Sequence, residues 1–410
     1  MVLHPSDTET VKPPVRKEKQ MEKSADAVVI GGGIMGASTA HFLAKKGFGK
    51  VVLLEKQHLA AVSTGSSAAN IRSHYSNTLT IRLAMRALDM FGSDREELGG
   101  DSGFRRVGMM ILMGERHLDS GLAVLAGEQK LGTGSRRISL DEASELAPQF
   151  DLDGVAAAAY QPRGGYADPA KTTRALVDSA AEKWGLAVYE GVPATGIQRD
   201  GDRVTAVDTP EGRIETRVVV NAAGPWGRHV GAWAGRNYSV RWSREGDLVL
   251  RLPADFGPFP VISDPGSRIY FRPHEDNGLL AGRDYPKEIE PLDIDDYDAL
   301  LDMNTRSSIE KGLFRRLPEL RHAKFDHGWS SIYTITDDWH PLVGAEPGVE
   351  GYYACFGGSG HGFKLAPPIG EALADVIAGE TPNIDIRELR PGRFADGESF
   401  TSAWGSGNRA

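Results

Sequence analysis

Cysteine is nearly missing: Cys355 is the one thiol in 410 residues. A single thiol excludes a disulfide within the chain and fits a reducing compartment. It also leaves no thiolate set for a metal, and the eleven histidines are scattered, so no metal site is expected. Long apolar runs are absent as well. The longest, residues 28–35 and 107–113, fall short of the ~18 residues that cross a bilayer. Positive charge is in deficit, 47 Lys and Arg against 56 Asp and Glu, net −9. That leaves no basic footprint for nucleic acid. The first 24 residues carry three prolines and four acids with no apolar core. They resemble neither a secretory signal nor a transit peptide and read as a disordered leader. A cytoplasmic protein without a membrane span is the expectation. No internal repeat is visible.

What is present begins at residues 27–56, AVVIGGGIMGASTAHFLAKKGFGKVVLLEK. A short apolar strand runs into Gly31, Gly33 and Gly36, spaced G-x-G-x-x-G, followed by a helical stretch and a second strand ending at Glu55 and Lys56. Gly31 permits the tight turn, Gly33 lets backbone approach a pyrophosphate, and Gly36 lets helix and strand pack closely. With Ile34 and Met35 these open a helix whose unpaired N–H groups suit phosphates. Glu55, nineteen residues after Gly36, is placed to accept from ribose hydroxyls. Such a motif alone is weak; flanked by strand, helix and acid it predicts a dinucleotide site.

Residues 60–76, AAVSTGSSAANIRSHYS, are small and polar and suit backbone lying against a flat ligand. Residues 77–91 have a helical apolar face, 104–113 read as a strand, and 140–146 as a short helix capped near Ser139. A helix over 170–184 opens on Asp168 and Pro169 and closes at Gly185; a strand at 186–192 follows, ending at Val192. Residues 204–209 and 214–220 suggest a hairpin. The apolar 218–220 lead to Asn221, Ala222, Ala223, Gly224, Pro225 and Trp226. That is either a second close approach of backbone to a cofactor or only a tight turn. Residues 241–284 read as an antiparallel sheet, and 293–316 as a helix whose acids (Glu288, Glu290, Asp293, Asp295, Asp296, Asp298) solvate its start. Residues 352–356 are a strand, then GGSGHGFK (357–364) makes a glycine-rich turn into a helix from about Ala366. The tail from Asp396 is small, polar and expected to be loose.

The opening unit, residues 221–226, 340–344 and above all Ser359-Gly360-His361-Gly362-Phe363-Lys364 resemble the FAD-dependent amine oxidoreductases of the D-amino-acid oxidase-like group, nearest its sarcosine oxidase and dimethylglycine dehydrogenase branch. The similarity runs from about residue 25 to 395. It implies an α/β (α+β) fold, a Rossmann-type FAD-binding domain interleaved with an antiparallel-sheet substrate domain. The division expected is 25–100, 160–240 and 325–385 for FAD, with 101–159 and 241–324 for substrate. FAD contacts are implied at Gly31, Gly33, Ile34, Met35, Gly36, Glu55, Lys56, Ser63, Thr64, Ser67, Ala68, Val192, Ala222, Ala223, Gly224, Trp226, Gly358, Gly360, His361, Gly362, Phe363 and Lys364. Arg72 and Lys364 match the pair that clamps a substrate carboxylate, a planar guanidinium and a point charge. Arg72 could instead serve a structural ion pair. Tyr270 matches a site tyrosine or is a core aromatic, and His74 and His361 either tune the site or are structural.

Departures carry information too. The flavin-linking cysteine of monomeric sarcosine oxidase falls near Ser331, implying non-covalent FAD. The basic residues that assist reaction with oxygen fall at Leu280 and Ala69, and a catalytic histidine falls at Arg283-Asp284. The implied chemistry is oxidation of a C–N bond α to a carboxylate by hydride transfer to FAD, with hydrolysis of the imine. The partner is a small amino acid or amine carboxylate, with an acceptor protein or quinone as a possible electron sink. A D-amino-acid dehydrogenase, suggested by Ser63-Thr64-Gly65 and Ser67-Ala68-Ala69, and a subunit of a larger amine dehydrogenase stay open.

Overall fold

The computed structural model describes residues 21–284, 289 and 291–401. Most of the expected leader (1–20), Glu288, Glu290 and the tail end (402–410) lie outside the described residues.

Two sheets organise the chain. The first has six strands in the order Leu342–Ala345, Tyr352–Phe356, Val219–Asn221, Ala27–Ile30, Val51–Glu55, Ala187–Glu190. All neighbours are parallel except the Leu342–Ala345 edge. Its central strands are apolar runs, interrupted only by Glu55 and Asn221 at their ends, because both faces are covered. On one face the helix Ile34–Lys45 packs between Gly362–Ile377 and Pro169–Trp184. The approach to Gly362–Ile377 is backbone-close: a Cβ on Gly370 would lie 2.7 Å from Ser38. The second sheet has eight strands, from Phe325–Thr336 through Val240–Arg251, Gly278–Arg283, Ile269–His274, Val261–Asp264, Met109–Met113 and Ala157–Gln161 to Arg136–Ile138. It is antiparallel but for the Val261–Asp264/Met109–Met113 pair. The helix Met303–Arg316 covers one face through Ile309 and Leu313. Phe325–Thr336, grouped with the FAD segments on sequence, hydrogen-bonds along Val240–Arg251 in this second sheet.

Caps fall where side-chain chemistry places them. Asp168 accepts from Lys171 N at 2.8 Å, Ser139 from Glu142 N at 3.0 Å, and Asn77 from Thr80 N at 2.8 Å. Several bounds differ from the sequence reading. The strand expected over 104–113 is Met109–Met113, because Gly108 sits at φ 78° and ends the ladder. The helix expected from 293 starts at Met303, capped by Asp302. Before it Asp293 and Asp298 fold onto the amides of Asp295 and Leu300, local turns that compete with helix. The hairpin is Arg203–Thr209 with Gly212–Glu215; residues 218–220 leave it for the first sheet. The last long helix begins at Gly362, not near Ala366, so Pro367 and Pro368 lie inside it. The tail is partly tied: Phe400 stacks on His340 at 4.1 Å, and Arg390 pairs with Asp396 and Glu398.

Candidate active site

Two cavities abut along the join of the sheets, sharing Ser67, Tyr333, Gly360 and Phe363 in their walls. The first, about 340 Å³, is lined by Gly31, Gly33, Ile34, Met35, Glu55, Lys56, Ser63, Thr64, Ala222, Ala223, Gly224, Trp226, Gly358 and Gly362. Sequence reasoning named all of these, from four distant segments.

The local chemistry fits a dinucleotide. Glu55 accepts from Gly32 N and Gln57 N at 2.7 Å each, which sets its carboxylate at the end of its strand. Thr64 Oγ1 accepts from Ile34 N at 3.1 Å. The helix from Ile34 has no side-chain cap on Gly33 and no acid in its first turn, so its remaining N-terminal amides face the cavity. Glycine is forced at two places: a Cβ on Gly31 would meet Ala222 O at 2.4 Å, and one on Gly36 would meet Gly31 O at 1.9 Å. Gly36 is therefore a packing residue behind the cavity, not part of its wall. Val192 is likewise behind it, donating to Glu55 O at 2.9 Å, while Pro193 and Ala194 form the wall. At the outer end Lys56 Nζ lies 3.3 Å over the Trp226 ring, and Trp226 Nε1 donates to Asp295 at 2.7 Å.

The second cavity, about 760 Å³, brings Ala68, Arg72, His74, Tyr270 and Lys364 together. Lys364 is 6% exposed, in the first turn of Gly362–Ile377. Arg72 donates to His74 O and lies 4.4 Å over the Tyr75 ring, which holds the guanidinium plane in place. Tyr270 donates to Asp247 Oδ1 at 2.6 Å. Burial, with Asp247 adding to it, pushes its phenol well above the ordinary value, so it stays protonated. His361 lines neither cavity: its Nε2 is 2.8 Å from Trp339 O and its ring packs between Tyr75 and His340. It follows a turn with positive φ at Ser359 (46°) and Gly360 (82°).

Ser331 is buried and lines neither cavity. Cys355 is buried at the inner cavity wall beside Met35 and Thr39, its thiol pushed up to about 12 by burial. Leu280 packs with Ala68 and Val249. Its cross-strand partner Arg272 is a buried cation that donates to Ala68 O at 2.7 Å and lies 4.4 Å over Tyr166. Burial lowers its pKa. Sequence reasoning missed Arg272, Asp247 and Tyr333; each owes its place to strand register, which composition does not carry. No group of three or more His, Cys, Asp or Glu suited to a metal occurs among the described residues.

A mixed α/β fold with a glycine-cradled dinucleotide cavity beside a cationic one defines a flavoprotein class. The chain belongs to the DAO family of FAD dependent oxidoreductases, whose family pattern matches residues 26–376. Its cofactor is FAD. It is similar to dimethylglycine dehydrogenase, mitochondrial, of Homo sapiens, 28% identical over 402 residues, 93% of this chain and 46% of that protein. It is also similar to sarcosine dehydrogenase, mitochondrial, of Mus musculus, 27% identical over 405 residues, 95% of this chain and 44% of that one. The chain thus spans less than half the length of these relatives. Among solved structures, L-proline dehydrogenase from P. horikoshii superposes with a TM-score of 0.86 at 27% identity, covering 93% of this chain and 100% of that one. Glycine oxidase from Bacillus cereus gives 0.75 at 26%, covering 87% and 95%. Among the described residues no helix is long and apolar enough to cross a membrane.

Proposed function

We propose that this chain oxidises the C–N bond of an amino acid or N-alkyl amino acid, a sarcosine-like amine. The observation that carries the reading is the placement of Arg72 and Lys364 in one cavity that shares a wall with the dinucleotide cavity. Two cations there fit an amine carboxylate. FAD, when bound, supplies a two-electron acceptor for the hydride on the carbon beside nitrogen; that carbon and nitrogen become an imine, which water hydrolyses to a carbonyl and an amine. The protein's part is orientation. Arg72 and Lys364 hold the carboxylate, and Tyr270, kept protonated, can donate to substrate only by exchanging Asp247 for it. A neutral bound amine needs no base, so the main contribution is fixing the α-carbon near the acceptor.

In this reading segments 25–100, 160–240 and 325–385 hold FAD non-covalently and 101–159 and 241–324 cover it; Phe325–Thr336 pairs into the covering sheet while its Ile332, Tyr333 and Thr334 line the cofactor cavity. The buried, uncharged side chains at Leu280 and Ala69 favour a second feature: electrons leave to a protein or quinone rather than to oxygen. The sequence alternatives, a D-amino-acid dehydrogenase or a subunit of a larger amine dehydrogenase, share this site. A reducing, cytoplasmic setting is consistent with the single thiol.

Anaerobic mixing of the FAD-loaded protein with N-methyl, D- and cyclic amino acids tests the reading. One class should bleach the flavin, and readmitted air should reoxidise it slowly. If no amine bleaches it, the reading fails. Lys364→Met should raise the KM of that substrate about tenfold to hundredfold, the worth of a hydrogen bond to a charged group, with FAD content unchanged.

A further inference from the structure

The second cavity holds more positive charge than one carboxylate requires. Its wall carries Arg72, Lys364, Arg116, Arg268 and Arg315 against two acids, Glu115 and Asp284. Asp284 is engaged, accepting from Ser263 Oγ at 3.0 Å. Arg72 and Lys364 come from the segments that also build the cofactor cavity. Arg116, Arg268 and Arg315 come from the other side, after the strand Met109–Met113, in the turn between Val261–Asp264 and Ile269–His274, and at the end of Met303–Arg316. All three are exposed at the mouth of the cavity, and among the described residues none of these guanidinium groups has an ion pair.

Their placement is built. Arg316 is 2% exposed and pairs with Asp264 Oδ2 at 2.6 Å, while also donating to the carbonyls of Asp151 and Asp153 at 3.0 and 2.8 Å. That buried knot fixes the helix end, so the adjacent Arg315 lies over Gly154, where a Cβ would come within 3.0 Å of its Nη2. Gly154 itself lines the cavity. Arg268 closes its turn at φ 57°, a left-handed conformation that glycine would hold at less cost. The arginine there sits at a conformational disadvantage, exposed at the rim of the cavity.

We infer that the substrate carries a second acidic group: the preferred class is a dicarboxylate, an amino acid or N-alkyl amino acid with an acid on its side chain or N-substituent. Arg72 and Lys364 take the carboxylate next to the reacting carbon, and Arg268 and Arg315 take the distal one. The inference rests on the proposed amine-oxidising reading and deepens it.

Binding without turnover separates the two. Glutarate and butyrate have similar chain lengths and cannot be oxidised at a C–N bond, and each can be titrated into FAD-loaded protein by the change in flavin absorbance. Glutarate should bind about tenfold tighter or better, a charge-assisted pair's worth, and the advantage should shrink as salt is raised. The double variant Arg268→Gly, Arg315→Gln should bring glutarate down to the level of butyrate. Glycine relieves the backbone at 268, and retained FAD content distinguishes a lost subsite from a lost fold. Equal affinities in the parent protein, or an advantage that survives in the variant, would overturn the inference. If sarcosine-type amines bleach the flavin but glutarate shows no advantage, only this inference fails. If glutarate is preferred and no amine bleaches the flavin, the amine reading fails instead.

Discussion

Glycines 33 and 36 belong to one motif but answer to different physics. A Cβ at Gly33 meets only Thr64 Oγ1, at 3.1 Å, and projects toward the cofactor cavity; at Gly36 it would collide with Gly31 O at 1.9 Å. Gly33→Ala should therefore leave the circular dichroism spectrum unchanged and lower the flavin-to-protein absorbance ratio of the purified protein. Gly36→Ala should disturb the packing of strand and helix, so both fold and flavin are lost. An outcome in which Gly36→Ala purifies folded and fully yellow would contradict the packing role. The motif's spacing was legible in the sequence, while this division of labour was not, since it depends on which backbone atom each glycine faces.

At the scale of elements, the helix Ile34–Lys45 is buried along nearly its whole length, and it carries a titratable side chain into that burial. His41 is 1% exposed, packs edge-on to Trp184 at 5.2 Å, and has Nδ1 2.8 Å from Leu176 O. Desolvation lowers its pKa from 6.5 to about 4, against the opposing Leu176 bond. The unfolded chain thus binds a proton that the folded chain refuses. His41 costs nothing above pH 6.5 and opposes folding increasingly from there down to about 4. The full penalty is on the order of 3 kcal/mol. Urea midpoints should fall between pH 7.5 and pH 5, and His41→Leu should flatten that part of the decline; an unchanged slope would count against it. The helix Gly362–Ile377 shows the reverse relation between sequence and element. Two prolines argue for a start just before them, near Ala366, yet helix forms four residues earlier, at Gly362, while Gly370 packs against Ser38 and Thr39. That earlier start puts Lys364 in the first turn, on the cavity.

Across the whole molecule, one buried residue ties the C-terminal segment to the site. Arg393 is fully buried, bonds both oxygens of Asp338 at 2.8 Å, and donates to the carbonyls of His340, Pro341 and Leu389. Burial pushes Asp338 up, but the Arg393 bonds prevail and hold its carboxyl below the usual value. Next to Asp338, Trp339 presents the carbonyl that holds His361. Arg393→Met would leave a buried carboxylate without its partner and should cost about 3–5 kcal/mol of stability, read as a lower urea midpoint. Because the knot borders the turn into Gly362–Ile377, flavin content should fall with it. A variant of parental stability would show that the pair contributes nothing.

A dinucleotide site and the elements that announce it were legible along the chain, and resemblance narrowed the dinucleotide to FAD. A strand, glycines at fixed spacing, a helix and a terminal acid are local, and their chemistry reads along the chain. Resemblance, rather than spacing, also named Arg72 and Lys364. That these two share a cavity, that His361 bonds Trp339 O outside it while Tyr270 meets Asp247, and that Arg272 is buried opposite Leu280 emerges from the folded chain alone. Each of those outcomes depends on strand register and on helix faces packed from segments hundreds of residues apart. Such contacts are set by burial of the whole core, and no window of sequence contains them.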